Sequence, residues 1–327
     1  MTEVRIPSGA WVIEATALRQ LREGVAWASG RPRALTARPD FQGVESEDPG
    51  PNFAPVRAWK VGSVAVLGFY GVHVARDTYV NRIEGFLFGG TILEHWTQAL
   101  GRLAADPSIS GIVLDVDSPG GQVAGTAEAA DLVRAVDRAK PVWAYTSGTM
   151  ASGAYWIGST ARRVVAHPAA ELGSIGALVT VVDQDPEWLR EHAGVLLNTF
   201  VAVQGPNKDP DPNDPAGAEL WQDRIDALGE KFVAAVAGNR KVSEAKVRRD
   251  FGAGWVMTGS AALEAGMVDQ LGTLEDAIRG IGQDPGRRPR ARAARAPSQA
   301  KASPSGGSAT TGRAGRLPVV RGKVRPR

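Results

Sequence analysis

Between residues 61 and 282 the chain alternates short apolar runs with longer stretches whose apolar residues recur every three or four positions. SVAVLGF (63–69), GIVLDVD (111–117) and PVWAY (141–145) read as strands, whereas TILEHWTQALGRLAA (91–105) and AGTAEAADLVRAVDRA (124–139) carry helical periodicity. A helix is expected to start near Ser152, with short strands at Arg163 to Ala166, Ala177 to Val182 and Leu196 to Val203. Asp214 to Gly238 is predicted as one long helix, with Leu220, Ile225, Leu228, Phe232, Val233 and Val236 on its buried side. Strands alternating with helices in units of this size predict an α/β layer architecture on largely parallel strands.

The flanks read differently. Trp11, Val12, Ile13, Leu18, Leu21, Val25 and Trp27 have a spacing compatible with an amphipathic helix, so residues 1–28 are read as an N-terminal helical segment. Residues 29–60 are rich in Pro, Gly and charge and read as a linker into a compact domain over 61–282. Residues 283–327 are dominated by Arg, Ala, Pro, Ser and Gly without apolar periodicity, which predicts a disordered tail.

Charge sharpens this division. From Pro285 to Arg327 there are ten Arg, two Lys and no acid, so the overall +3 conceals 26 basic against 35 acidic side chains in the preceding body. Such a tail fits electrostatic contact with nucleic acid or an acidic protein surface, or a solvated tail with no dedicated partner. The absence of cysteine excludes disulfides, thiolate catalysis and cysteine-held metals, and fits a reducing cytoplasm. The first residues lack the architecture of a secretion signal. Pro141 to Ala161 is uncharged and about as long as a membrane span, but its six Ser and Thr side chains and three glycines suit a buried strand, turn and helix, so no transmembrane segment is expected.

Three places carry candidate chemistry. Asp117-Ser118-Pro119-Gly120-Gly121 follows a buried strand. Pro119 fixes one turn angle, and the glycines let backbone N–H groups face outward, an arrangement suited to an oxyanion and equally to a plain turn. Ser152, in Met150-Ala151-Ser152-Gly153-Ala154-Tyr155, lies among small residues at a helix start, where a serine is either a cap or an exposed nucleophile. The two sites are one strand-helix-strand unit apart, so they can meet at the carboxyl ends of neighbouring strands. Lys208, in GPNKDPDPNDP, is either a solvated loop lysine or a base, and a lysine acts as a base near neutral pH only when burial favours its neutral form. Of the four histidines, His73, His95, His167 and His192, none has a setting that marks a triad member. No HExxH, EF-hand, GxGxxG or GK[ST] pattern occurs, so neither a metal nor a nucleotide cofactor is expected.

The ordered set SPGGQVAG, GTMASGAYWIGS, ELGSIGALV, VQGPNKD and MTGSAALEAGMVDQLG resembles the signal peptide peptidase A family of serine peptidases over about residues 60–280. Within that family it is most similar to phage capsid assembly proteases of the minor capsid protein C type. The resemblance implies a Clp-protease/crotonase-like spiral of ββα units and a Ser/Lys dyad: Ser152 as nucleophile, Lys208 as general base and Ser174 as the serine that holds the lysine amine. It implies an oxyanion hole from Gly153 and the Gly120-Gly121 turn. It also implies a homo-oligomer, in which the dyad can form across protomers, acting on protein substrates such as phage scaffold or capsid proteins in the host cytoplasm or procapsid. One departure is Gly153-Ala154, where the family commonly has Gly-Gly or Gly-Gln. A host-type cytoplasmic peptidase, a crotonase-like acyl-CoA enzyme and an inactive assembly protein are the competing readings.

Overall fold

The computed structural model describes residues 10–13, 56–78, 90–181 and 201–284. Their centre is a six-stranded sheet in the order β14 (Gln270–Leu271), β10 (Arg163–Ala166), β8 (Val142–Thr146), β6 (Gly111–Asp117), β3 (Val64–Tyr70), β2 (Ala58–Val61). Every pair is parallel except β2 with β3. The expected α/β architecture on largely parallel strands is therefore present. β3, β6 and β8 are buried almost along their length, which is why they read as continuous apolar runs rather than alternating ones.

Helices α1 (Leu93–Ala105), α2 (Thr126–Ala139) and α3 (Gly153–Gly158) cover one face of this sheet. α1 buries Leu93, Trp96, Leu100 and Leu103, the stripe its periodicity predicts. Trp96 meets Phe69 edge-on at 5.2 Å and donates its indole N–H to the Gly68 carbonyl at 3.1 Å, so this large side chain leaves no polar atom stranded. Helix α4 (Pro215–Arg240) joins the same core through Phe232, which stacks on Trp156 of α3 at 4.7 Å. The opposite face is closed by α7 (Leu274–Gln283), whose Leu274, Ala277 and Ile281 pack on Val113 and Trp143.

A long strand, a short strand and a helix recur in that order: β6, β7 (Gly120–Gln122), α2, and then β8, β9 (Thr149–Ala151), α3. The short strands build two smaller sheets. One has the order β12 (Leu178–Val179), β1 (Ala10–Ile13), β7, β4 (Val72–Val74), β5 (Gly90–Ile92); the other joins β9 and β13 (Val256–Thr258) to opposite edges of β11 (Glu171–Gly173). Two further helices, α5 (Glu244–Asp250) and α6 (Gly259–Ala265), lie between α4 and α7 in the chain.

Several expectations need correction. Residues 10–13, inside the stretch read as an amphipathic helix, form a strand, because β7 and β12 offer backbone partners that the local pattern does not reveal. Residues 14–28 lie outside the described residues. β2 starts at Ala58, inside the stretch read as a linker, and α7 runs to Gln283, one residue into the predicted tail, of which residues from 285 on are not described. The strand expected over 177–182 shortens to Leu178–Val179; of the one expected over 196–203, residues 201–203 are not strand and 196–200 are not described. On α4, Phe232, Val233 and Val236 are buried as expected, but Ile225 and Leu228 are half-buried and Leu220 is exposed. The first half of that helix has fewer core contacts to bury its apolar stripe.

Candidate active site

β6 and β8 are neighbours, and their carboxyl ends carry the two apolar-flanked motifs together. Ser118, after β6, bridges to Met150 of β9: its amide donates to the Thr149 carbonyl at 2.7 Å, and its carbonyl accepts from the Ala151 amide at 3.1 Å. The Pro-Gly-Gly turn and the Ser152 turn are thus hydrogen-bonded to each other. Asp117 reinforces the junction, since its Oδ1 accepts from the Thr149 amide at 2.9 Å and lies where a side chain at Gly148 would stand.

Ser152 links β9 to α3 with φ 51° and ψ −126°. A non-glycine residue with this backbone costs about 1–3 kcal/mol, sustained here by two hydrogen bonds: its amide donates to the Gly173 carbonyl at 2.7 Å, and its carbonyl accepts from the Trp156 amide at 2.9 Å. Its side chain makes no capping bond to α3, which removes the plain-cap reading. Oγ is fully buried and has no hydrogen-bond partner among the described residues. A buried hydroxyl normally finds a partner, and one left free at a strained turn is free to react.

The groups expected to stabilise an oxyanion lie close by in the fold. Gly153 is the first residue of α3, where a helix amide has no intrahelical acceptor. Gly120 has φ 106°, and its amide donates to Ser118 Oγ at 3.2 Å, while that oxygen donates to the Gly71 carbonyl at 2.6 Å. Gly121 has a packing role that the motif did not reveal: a Cβ there would come within 1.9 Å of the His73 carbonyl on β4. Ala154, the departure from the family pattern, is buried in the main core, so its methyl is accommodated by packing.

Ser174 follows Gly173, the acceptor of the Ser152 amide, and it too has positive φ, 53°. Its amide donates to the Trp255 carbonyl at 2.9 Å, and the residue is almost buried. Lys208 makes no hydrogen bond to Ser152 Oγ. It ends a short turn, Pro206–Lys208, and is exposed. The loop that holds it is nonetheless anchored: Trp221 Nε1 donates to the Pro210 carbonyl at 3.1 Å, and Asp214 caps α4 by accepting from the amides of Ala216 and Gly217. The residues that sequence reasoning linked therefore divide in two: Ser152, Gly153, Gly120, Gly121 and Ser174 are joined by the backbone network, and Lys208 is exposed and not hydrogen-bonded to Ser152 Oγ.

Among the described residues no histidine takes its place, since none is hydrogen-bonded to Ser152 Oγ. His73 is nevertheless a support that the sequence did not single out. It is fully buried on β4 opposite Gly121, and its Nε2 lies 2.9 Å from Thr126 Oγ1. The Thr126 hydroxyl proton goes to the Gln122 carbonyl at 2.7 Å, so His73 donates from Nε2, which leaves Nδ1 as a buried acceptor without a partner among the described residues. Burial lowers its pKa to about 3, with a smaller opposing contribution from the Gln122 backbone, so the ring is neutral and braces β7. Among the described residues no cluster of His, Asp or Glu could hold a metal, and no helix is long and apolar enough to cross a membrane.

Residues 134–285 match peptidase family S49. The chain is 32% identical over 235 residues to the head-tail preconnector protein GP5 of Enterobacteria phage P21, covering 68% of this chain and 44% of that protein. It is 31% identical over 240 residues to capsid assembly protease C of Escherichia phage lambda, covering 72% and 52% respectively. It is 32% identical over 176 residues to Protease 4 of Salmonella typhi, covering 53% and 28%. The chain thus spans about half the length of the two phage relatives. The resemblance read from the five motifs is borne out at the level of the family.

Proposed function

From the premise that residues 134–285 are a peptidase family S49 domain, we propose that the chain is a serine endopeptidase working through a Ser152/Lys208 dyad. The observation that carries this reading is the Ser152 hydroxyl, buried, without a partner among the described residues and held on a strained turn beside the Gly153 amide. In this mechanism the neutral Lys208 amine takes the Ser152 proton and Oγ attacks a peptide carbonyl. The Gly153 amide and the Gly120-Gly121 turn hold the oxyanion, which requires the Gly120 amide to turn from Ser118 Oγ to the substrate oxygen. The amine returns the proton to the leaving nitrogen, and water then hydrolyses the acyl-enzyme. Ser174 holds the amine.

A lysine base needs desolvation, and Lys208 is exposed in one chain. The reading therefore includes a homo-oligomer in which a second copy covers the Lys208 loop and completes the dyad. The stripe of Leu220, Trp221, Ile225 and Leu228 on the adjoining half of α4 supports this, being apolar and incompletely buried in the single chain. The recurring strand-strand-helix order supports a Clp-protease/crotonase-like spiral.

The phage relatives point to scaffold or other head proteins as substrates, cut in the procapsid or host cytoplasm. The basic stretch 285–327 would hold the enzyme to nucleic acid or to an acidic protein surface. Labelling with a fluorophosphonate probe, mapped by mass spectrometry, tests the mechanism. Modification at Ser152 that is lost in Ser152→Ala and at least ten-fold slower in Lys208→Ala is the expected result. Modification at another residue, or undiminished activity in Lys208→Ala, overturns it.

A further inference from the structure

Resting on the peptidase reading, a second serine beside the nucleophile acquires a role. Ser118 is fully buried, and its hydroxyl takes no part in the proton transfers assigned to Ser152 and Lys208. The Ser118 hydroxyl proton goes to the Gly71 carbonyl at 2.6 Å, so Oγ is committed as a donor and is not primed as a nucleophile. What it presents toward the turn is a lone pair, and the Gly120 amide donates to it at 3.2 Å. An amide assigned to the oxyanion therefore already faces an oxygen in the resting chain.

Burial explains why. Gly120 is buried, and an amide N–H withdrawn from water without an acceptor carries the full desolvation penalty. Without substrate, the Gly120 donor would be such an orphan, and Ser118 Oγ satisfies it. The contact is also one that can be given up. It is longer than the usual amide hydrogen bond, and Gly120, at φ 106°, has no Cβ to obstruct rotation of the Pro119–Gly120 peptide.

The turn does not depend on this contact for its place. The Ser118 amide donates to the Thr149 carbonyl at 2.7 Å, the Ser118 carbonyl accepts from the Ala151 amide at 3.1 Å, and the Gly71 amide donates to the Asp117 carbonyl at 2.9 Å. These backbone bonds hold the residues before Gly120 with or without the Ser118 hydroxyl.

We propose that Ser118 Oγ is a placeholder for the substrate's carbonyl oxygen, a positioning residue that acts through the Gly120 amide. It satisfies that amide in the free enzyme and yields it as the oxyanion forms. The Ser118 hydroxyl keeps its bond to Gly71 throughout, and only the bond from Gly120 passes from one oxygen to the other. This bond stabilises the free enzyme and is absent from the transition state. Ser118 thus raises stability and lowers reactivity, so removing its hydroxyl acts with opposite sign on the two. A purely structural role would lower both.

The test compares the full wild-type chain with Ser118→Ala by urea midpoint and by the second-order rate of fluorophosphonate labelling at Ser152, since the phosphoryl oxygen of the probe stands where the oxyanion forms. Ser118→Ala is expected to unfold at lower urea yet to label about three- to ten-fold faster, the net worth of one neutral hydrogen bond. Slower or unchanged labelling of Ser152 in the variant overturns the placeholder and leaves the peptidase reading standing. A crystal structure of the labelled wild type answers independently of whether the variant folds. It should show the Gly120 amide donating to the phosphoryl oxygen and Ser118 Oγ still on the Gly71 carbonyl; a Gly120 amide that stays on Ser118 Oγ overturns the placeholder. Absence of label at Ser152 in the wild type overturns the peptidase reading and this inference with it.

Discussion

The amide of Ser152 donates to the carbonyl of Gly173 at 2.7 Å, which couples the candidate nucleophile directly to the turn that carries Ser174. Both serines have positive φ, 51° and 53°, and Gly173 between these turns has φ 128°. The geometry of one serine therefore depends on the other through a single backbone contact, and substitutions in the turn should read out at the nucleophile.

Gly173→Ala tests that coupling. A Cβ at this position would come within 2.5 Å of the Trp255 carbonyl, on a backbone that side chains rarely adopt. Displacing the strand moves the acceptor of the Ser152 amide. The expected result is at least a hundred-fold loss of fluorophosphonate labelling and a loss of about 2–4 kcal/mol in stability, read by urea unfolding.

Lys208 gives the opposite signature. Because it is exposed and its side chain supports none of the core, Lys208→Ala should leave the urea midpoint unchanged. Peptide cleavage should fall by about 10²–10⁴-fold, the range expected for loss of a general base. Equal activity of wild type and variant would remove the lysine from the mechanism.

Asp117 acts on the nucleophile turn through Thr149. Asp117→Ala removes the acceptor of the Thr149 amide and should cost about 1–2 kcal/mol, with roughly ten-fold slower cleavage from the loosened turn. Asp117→Asn keeps an oxygen at that position and should restore most of the rate. A rate in Asp117→Asn as low as in Asp117→Ala would show that the carboxylate charge, not the hydrogen bond, is what matters.

His73 makes stability depend on pH. Its folded pKa of about 3 lies below the ordinary value of 6.5, so the unfolded chain binds the extra proton between these values. The neutral ring's contribution is fully present above pH 6.5 and declines by roughly 1.4 kcal/mol per pH unit as pH falls toward 3. Urea midpoints measured from pH 7 to pH 4 should show this slope in the wild type and lose it in His73→Gln. A His73→Gln variant with an unchanged slope would place the effect elsewhere.

Wherever burial follows from local pattern, the sequence was a good guide. The runs GIVLDVD and PVWAY became the adjacent buried strands β6 and β8, and the stripe of α1 packed as its spacing requires. The same logic failed where burial depends on a partner distant along the chain. AWVI at 10–13 is apolar in a way that suits a helix or a strand, and only β7 and β12 decide for the strand. Likewise the stripe of α4 is continuous in sequence, but the core reaches only its second half.

For the site, the sequence by itself determined the residue types: a serine among small residues, a Pro-Gly-Gly turn one strand-helix-strand unit before it, and a lysine in a polar loop. Their order along the chain also carries the resemblance to peptidase family S49. Only the tertiary structure decided that the Ser118 and Ser152 turns are hydrogen-bonded to each other, that the Ser152 hydroxyl is buried without a partner among the described residues, and that Lys208 is exposed. The physical reason is that reactivity here depends on solvation and hydrogen-bond partners, which are set by elements dozens of residues away. A serine read alone looks the same whether it caps a helix or waits for a base.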